Sequence, residues 1–227
     1  MSGYVSRGLH GRLVQELGST IASGQIAPGE RVDVEALEGQ HGVSRTVVRE
    51  AIRVLATKGL VDARPKRGTF VLERQHWNVL DPDVLRWLYS AAPDMRFLES
   101  LNEVRQIIEP AGARLAAMRR TDADVVDMRA ALDEMAAEFD LEKSVAADIR
   151  FHHALTTATH NEMLQQLGTI LEAGLRARDL LIMAEDLDAD VPTHAAVLDA
   201  IEAGDPDRAE SAMHVLLERS IADAARA

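Results

Sequence analysis

Asp148 and His152 stand four residues apart, so a helix through them sets a carboxylate and an imidazole on one face. His194, at the start of a later helical run, offers a second imidazole. Hard oxygen with imidazole nitrogen suits a divalent ion such as Zn²⁺, Mn²⁺ or Ni²⁺. The chain has no cysteine, so a transition metal can be held only by His and carboxylate. Disulfides and a cysteine nucleophile are excluded on the same ground. His10, His41, His76, His153 and His160 lack comparable partners and read as surface or packing residues.

A second pattern lies in Val43-Ser44-Arg45-Thr46-Val47-Val48-Arg49-Glu50-Ala51. A helix beginning after Ser44 turns Val47, Val48, Ala51, Ile52 and Leu55 toward a core and leaves Arg45, Thr46 and Arg49 together on the opposite face. A helix fits the DNA major groove, where Arg pairs bidentately with guanine and small hydroxyl residues contact phosphate. The alternative is an ordinary solvated helix face. Lys66-Arg67-Gly68, at the tip of a short hairpin, would add a basic wing, with glycine allowing close approach to the duplex.

Charge supports the division of labour. The chain carries a net −12 over 227 residues, which by itself disfavours a polyanionic partner. Residues 1–75, however, hold 11 Lys/Arg against 8 Asp/Glu, a net of +3, and residues 76–227 hold 14 against 29, a net of −15. A small basic body joined to a larger acidic one predicts nucleic-acid contact at one end and another task at the other. An apolar share of 47% excludes wholesale disorder. No apolar run approaches the ~18 residues of a membrane span and the start lacks a secretory layout, so no membrane partner and a cytoplasmic location are expected.

The elements that would position these residues follow from spacing. Leu9, Leu13, Leu17 and Ile21 predict a helix over Arg7–Ser23; a short helix over Val34–Gln40 follows, then one over Arg45–Lys58 with Ser44 as N-cap. Two β-prone runs, Leu60–Arg64 and Thr69–Leu72, flank the basic tip. That order is a winged helix-turn-helix. The remainder reads as helices near 83–91, 95–119, 122–139, 142–159, 161–185, 192–203 and 206–225. Thr121 with Asp124 predicts a capping box, Asp205-Pro206 a helix start, and Pro110 a kink. The fold class expected is mainly α: a winged helix-turn-helix domain with a small β-hairpin wing at 7–74, a linker with its own helix at 75–94, and an all-α bundle at 95–225.

Pro28-Gly29-Glu30, Val43-Ser44-Arg45-Thr46, Arg49-Glu50-Ala51, Leu55, Gly59-Leu60-Val61 and Gly68-Thr69-Phe70-Val71 together resemble the GntR family of bacterial winged-helix regulators across residues 7–73. The resemblance implies a regulator and not an enzyme. It gives Arg45 and Arg49 the main recognition contacts, with Ser44 and Thr46 assisting and Lys66, Arg67 and Gly68 entering the minor groove. Where some members carry a further basic contact in the preceding helix, this chain has Glu35.

Asp148, Phe151-His152, Asn161, His194, Ala200-Ile201, Gly204-Asp205, Ala209 and Met213 are similar to the helical FCD domain of the FadR subfamily over about residues 95–220. That resemblance implies a divalent metal held by one Asp and three His, with a small carboxylate effector received by the metal and an Arg. Asp148, His152 and His194 match three ligands. The fourth position falls on Leu216, whereas the nearby histidine is His214; two residues along a helix is a rotation of about 200°. Arg105 matches the subfamily's Arg-bearing segment and is the candidate carboxylate clamp, or else a salt-bridge partner of Asp148 or Glu109. Asn161 could bond effector hydroxyls or cap the next helix.

The segment Trp77-Asn78-Val79-Leu80-Asp81-Pro82-Asp83-Val84-Leu85-Arg86-Trp87 looks like the linker of sugar-acid regulators, repressors of galactonate utilisation among them. Residue chemistry alone expects both tryptophans to pack the linker against the helical domain. The expectation is a homodimeric repressor of double-stranded operator DNA, controlled by a small carboxylate such as galactonate. The rivals are a metal-dependent enzyme on a helical bundle and a regulator responding to metal alone.

Overall fold

Every fourth residue from Leu9 to Ile21 is apolar, and α1 (Gly8–Ala22) buries Leu13, Val14, Leu17 and Ile21, while Leu9 in its first turn stays 59% exposed. The computed structural model describes residues 8–64, 66–91, 95–137, 140–169, 172 and 191–224, and the chain divides into two units, Met1–Asp94 and Met95–Ala227.

In the first unit β1 (Arg31–Val32) precedes α2 (Val34–His41), capped by the Asp33 carboxylate, which accepts from Glu35 N at 3.0 Å and Ala36 N at 3.1 Å. Gly42, at φ 61°, ends α2 and releases the chain into α3 (Arg45–Thr57). Val48, Ala51, Ile52 and Leu55 are buried on one face of α3, as their spacing requires. Ser44 holds the extended N-cap conformation, but its side chain accepts no capping hydrogen bond, and the residue is exposed. β2 (Val61–Arg64) and β3 (Gly68–Val71) form the expected antiparallel hairpin. β1 joins it through Arg31↔Phe70 and Val32↔Thr69, giving the order β1-β3-β2. Two residues carry no alternation, so this third strand has no sequence signal.

After a 3₁₀ turn (Arg74–His76), α4 (Pro82–Ala91) packs on α1. Lys58, at the end of α3, ties the linker down through Asp81 at 2.7 Å and Asp83 at 2.9 Å. Trp77 Nε1 donates to the Leu72 carbonyl at 2.9 Å, and Trp87 Nε1 donates to Gln15 Oε1 at 2.7 Å. The hydrogen bonds described for both rings are with elements of the first unit. Gly18 is the reason Trp87 fits: a Cβ there would lie 2.6 Å from its ring.

The described elements of the second unit are all helices: α5 (Met95–Arg119), α6 (Asp122–Ala137), α7 (Leu141–Ala158), α8 described over 162–169, α9 (Val191–Ala203) and α10 (Pro206–Ala224). α5 runs as helix through Pro110. Its small buried faces, Ala113, Ala116 and Ala117, let α5 approach closely the core formed by Met128, Phe151, Leu155, Leu198, Ile201 and Met213. Thr121 and Asp124 form the reciprocal box, with Thr121 N donating to Asp124 Oδ2 at 2.7 Å and Asp124 N to Thr121 Oγ1 at 3.3 Å. Asp205 accepts from Arg208 N at 3.1 Å ahead of Pro206. The helix expected over 161–185 lies outside the described residues from 170 onward, apart from Glu172.

Candidate functional site

On the first unit, Ser44, Arg45, Thr46 and Arg49 are all exposed on the face of α3 opposite its buried stripe. A groove of about 510 Å³ between this face and the hairpin is lined by Arg45, Arg49, Arg53, Arg64, Lys66 and Gly68 among others. Arg53 pairs with Glu50 at 2.6 Å and Arg64 with Asp62 at 2.8 Å. Arg45 Nε is 3.9 Å from Glu38 Oε1 and its side chain remains 66% exposed. At the tip Lys66 takes φ 61° and Gly68 φ 105°. A Cβ on Gly68 would lie 2.8 Å from Arg31 Nε, so glycine is needed both for the turn and for the neighbouring Arg31. Arg53, Arg64 and Arg31 join the candidate residues only once the hairpin folds beside α3.

On the second unit, α7 presents Asp148 and His152 one turn apart, and α9 brings His194 to them. Ligand atoms of the three residues all lie within 4.8 Å of one another. His194 Nε2 is 3.0 Å from Asp148 Oδ1, and His152 Nε2 is 3.9 Å from Asp148 Oδ2. Phe151 stacks edge-on against both imidazoles and closes the site on its apolar side. All three donors are buried, and Asp148 Oδ2 makes no hydrogen bond among the described residues. Leaving a carboxylate oxygen buried and unbonded is costly unless a cation completes it. One carboxylate and two imidazoles converging at this spacing fit a divalent ion.

Arg105 and Glu109, on successive turns of α5, complete the cluster. Arg105 is 1% exposed; its Nε donates to Glu109 Oε1 at 2.6 Å and its Nη2 to Oε2 at 3.3 Å. His152 Nδ1 stands 3.0 Å from Glu109 Oε2, and Arg105 Nη2 is 3.5 Å from His152 Nε2. Burial pushes the Glu109 carboxyl upward, but Arg105 and His152 outweigh it and hold it at about 2. Asp148 is likewise kept below the usual carboxylate range, burial being overcome by His152, His194 and Arg105. Burial disfavours the His152 imidazolium, yet Glu109 and Asp148 raise its pKa above the ordinary value.

The structure places three residues whose roles the sequence left open. Leu216 is buried in the core and His214 is exposed, as the 200° rotation demands, so His214 is outside the cluster. Asn161 caps α8, its Oδ1 accepting from Met163 N at 3.0 Å. Arg105 pairs with Glu109. Glu109 itself was not among the candidates, although its i+4 spacing from Arg105 was visible.

Residues 9–71 match the bacterial regulatory proteins of the gntR family, and residues 100–219 match the FCD domain. The chain belongs to the GntR family. A galactonate operon transcriptional repressor of Escherichia coli K12 is 37% identical over 214 residues, 92% of this chain and 93% of that protein. LutR, an HTH-type transcriptional regulator of Bacillus subtilis 168, is 34% identical over 204 residues, 85% and 90% of the two chains. The solved structure of Lar, described as controlling the Listeria monocytogenes agr system, superposes with a TM-score of 0.67 at 19% identity, covering 98% of this chain and 99% of that one, and attests the fold alone. This GntR-family chain is thus a transcriptional regulator and not an enzyme, with a DNA-binding winged helix-turn-helix and an FCD domain of the type that binds metal and small effectors. No helix among the described residues is long and apolar enough to cross a membrane.

Proposed function

We propose that this chain is a cytoplasmic, homodimeric repressor that releases a palindromic operator when a small sugar acid binds its FCD domain. The observation that carries the reading is the basic groove between α3 and the wing, where Arg45 and Arg49 are exposed above a fully packed stripe. In the proposal Arg45 and Arg49 read base edges, Ser44 and Thr46 contact phosphate, and Lys66, Arg67 and Gly68 enter the minor groove. Two such heads related by a two-fold axis would match two half-sites.

For the effector, the buried Asp148, His152 and His194 are the residues that would hold a divalent ion, with Leu216 leaving the set at three protein ligands. A bound ion supplies a Lewis-acid anchor for an anionic oxygen. Arg105, buried beside His152, supplies the planar donor fork that carboxylates pair with. The 37% identity to a galactonate operon repressor along nearly the whole chain favours a hexonate as effector. An effector lowers operator affinity only by as much as it prefers the conformation with badly spaced heads; about 1–3 kcal/mol of coupling changes affinity about 5–150-fold.

The reading is tested by fluorescence anisotropy of the full chain on DNA from upstream of its own gene, titrated between about 50 and 200 mM salt. Neutralising 6–10 phosphates predicts an affinity loss of about 10³–10⁵ across that range. A flat salt response contradicts it.

A further inference from the structure

We infer that Arg53 and Arg64 form a phosphate clamp: they grip, from its two sides, the sugar-phosphate strand that divides the major groove read by α3 from the minor groove entered by the wing. The inference rests on the proposed mode of operator binding. It goes beyond that reading by assigning two contacts that fix where the head sits without reading a base.

The path of the strand carries it. Adjoining major and minor grooves of a duplex are divided by one backbone, so a protein with a helix in one and a hairpin tip in the other must hold that backbone between them. The space that would receive it is the groove of about 510 Å³, with Arg53 on its helical wall and Arg64 on its hairpin wall. Arg53 follows Arg45 and Arg49 at intervals of four, one further turn along the same face of α3. Arg64 ends β2 and pairs in register with Gly68, which has no side chain to cover it. Its guanidinium lies 5.5 Å from the Phe70 ring centroid, and its Nε is 2.8 Å from Asp62 Oδ2, so the head of the side chain is held on the hairpin wall. The carboxylates that Arg53 and Arg64 meet, Glu50 and Asp62, are near neighbours at the surface, and the two arginine side chains remain 70% and 48% exposed. Surface ion pairs of this kind contribute little. Each guanidinium can therefore exchange its carboxylate for the oxygens of a phosphate, which it bonds bidentately.

The test is the salt dependence of affinity by fluorescence anisotropy of the full chain, on DNA from upstream of its own gene and on a duplex of unrelated sequence. The proteins compared are the wild type, Arg53→Gln, Arg64→Gln and Arg150→Gln, the last an exposed arginine of the second unit paired with Glu134. Each phosphate contact contributes about 0.9 to the slope of log affinity against log salt. Expected is a slope shallower by about that amount in Arg53→Gln and in Arg64→Gln, on both duplexes alike, with the wild-type slope kept in Arg150→Gln. An Arg64 that merely braced Phe70 and Asp62 would lower affinity and leave the slope where it was. A wild-type slope in either Arg53→Gln or Arg64→Gln, a change confined to the operator duplex, or an equal flattening in Arg150→Gln overturns the clamp while leaving the DNA reader standing. A wild type whose affinity does not respond to salt overturns the reader and the clamp together.

Discussion

Leu216 is packed into the core of the FCD domain while His214, two residues before it on α10, is exposed to solvent. With no imidazole facing it from α10, the Asp148, His152 and His194 cluster has three candidate donors among the described residues. Replacing Leu216 by His restores the imidazole that the subfamily pattern expects, and the expected result is a Zn²⁺ affinity at least about tenfold tighter, worth about 1.4 kcal/mol. His214→Ala should leave affinity unchanged. Chelator competition on the two variants checks both.

Arg45→Ala and Arg49→Ala each remove one exposed guanidinium from the α3 face. If each reads a base edge, each costs about 1–3 kcal/mol of operator binding and relaxes preference at one operator position. Lys66→Ala should instead weaken binding evenly across operator sequences. Anisotropy on a set of single-base operator variants separates these outcomes.

Gly18→Ala drives a methyl group into the Trp87 ring, which is 3% exposed and held by Gln15. Overpacking of this kind destabilises by about 1–3 kcal/mol. The thermal unfolding of Gly18→Ala should begin at lower temperature than that of the wild type, with fluorescence reporting the tryptophan environment.

Burial raises the Asp124 carboxyl, but the Thr121 N–H and hydroxyl and the nearby His160 imidazole outweigh it and lower its pKa below 3.8. A carboxylate depressed in the folded state contributes stability that is present above the unfolded pKa and is lost as pH falls through the folded value. Denaturant midpoints followed downward from pH 6 should therefore drop more steeply below about pH 4 for the wild type than for Asp124→Asn.

What could be read from the sequence was what is local. Arg45, Thr46 and Arg49 share a face by helical geometry alone, and Asp148 and His152 do so for the same reason. The capping groups Thr121, Asp124 and Asp205 act within three residues and were equally legible. Glu109 was not, because its partner His152 lies 43 positions away and meets it only when α5 packs on α7. Trp87 gives no hint that Gln15, 72 positions earlier, will take its N–H. The rotation that removes His214 was computable from the helix pitch, yet only packing reveals that Leu216 is part of the core.

The central claim, a DNA reader governed by a sugar acid, is tested most directly by anisotropy of the wild-type chain on DNA from upstream of its own gene, at one fixed salt, with Zn²⁺ present and a panel of hexonates and short hydroxy acids added in turn. One hexonate, galactonate first, is expected to lower operator affinity by about 5–150-fold. Tight binding that no acid in the panel changes would contradict it.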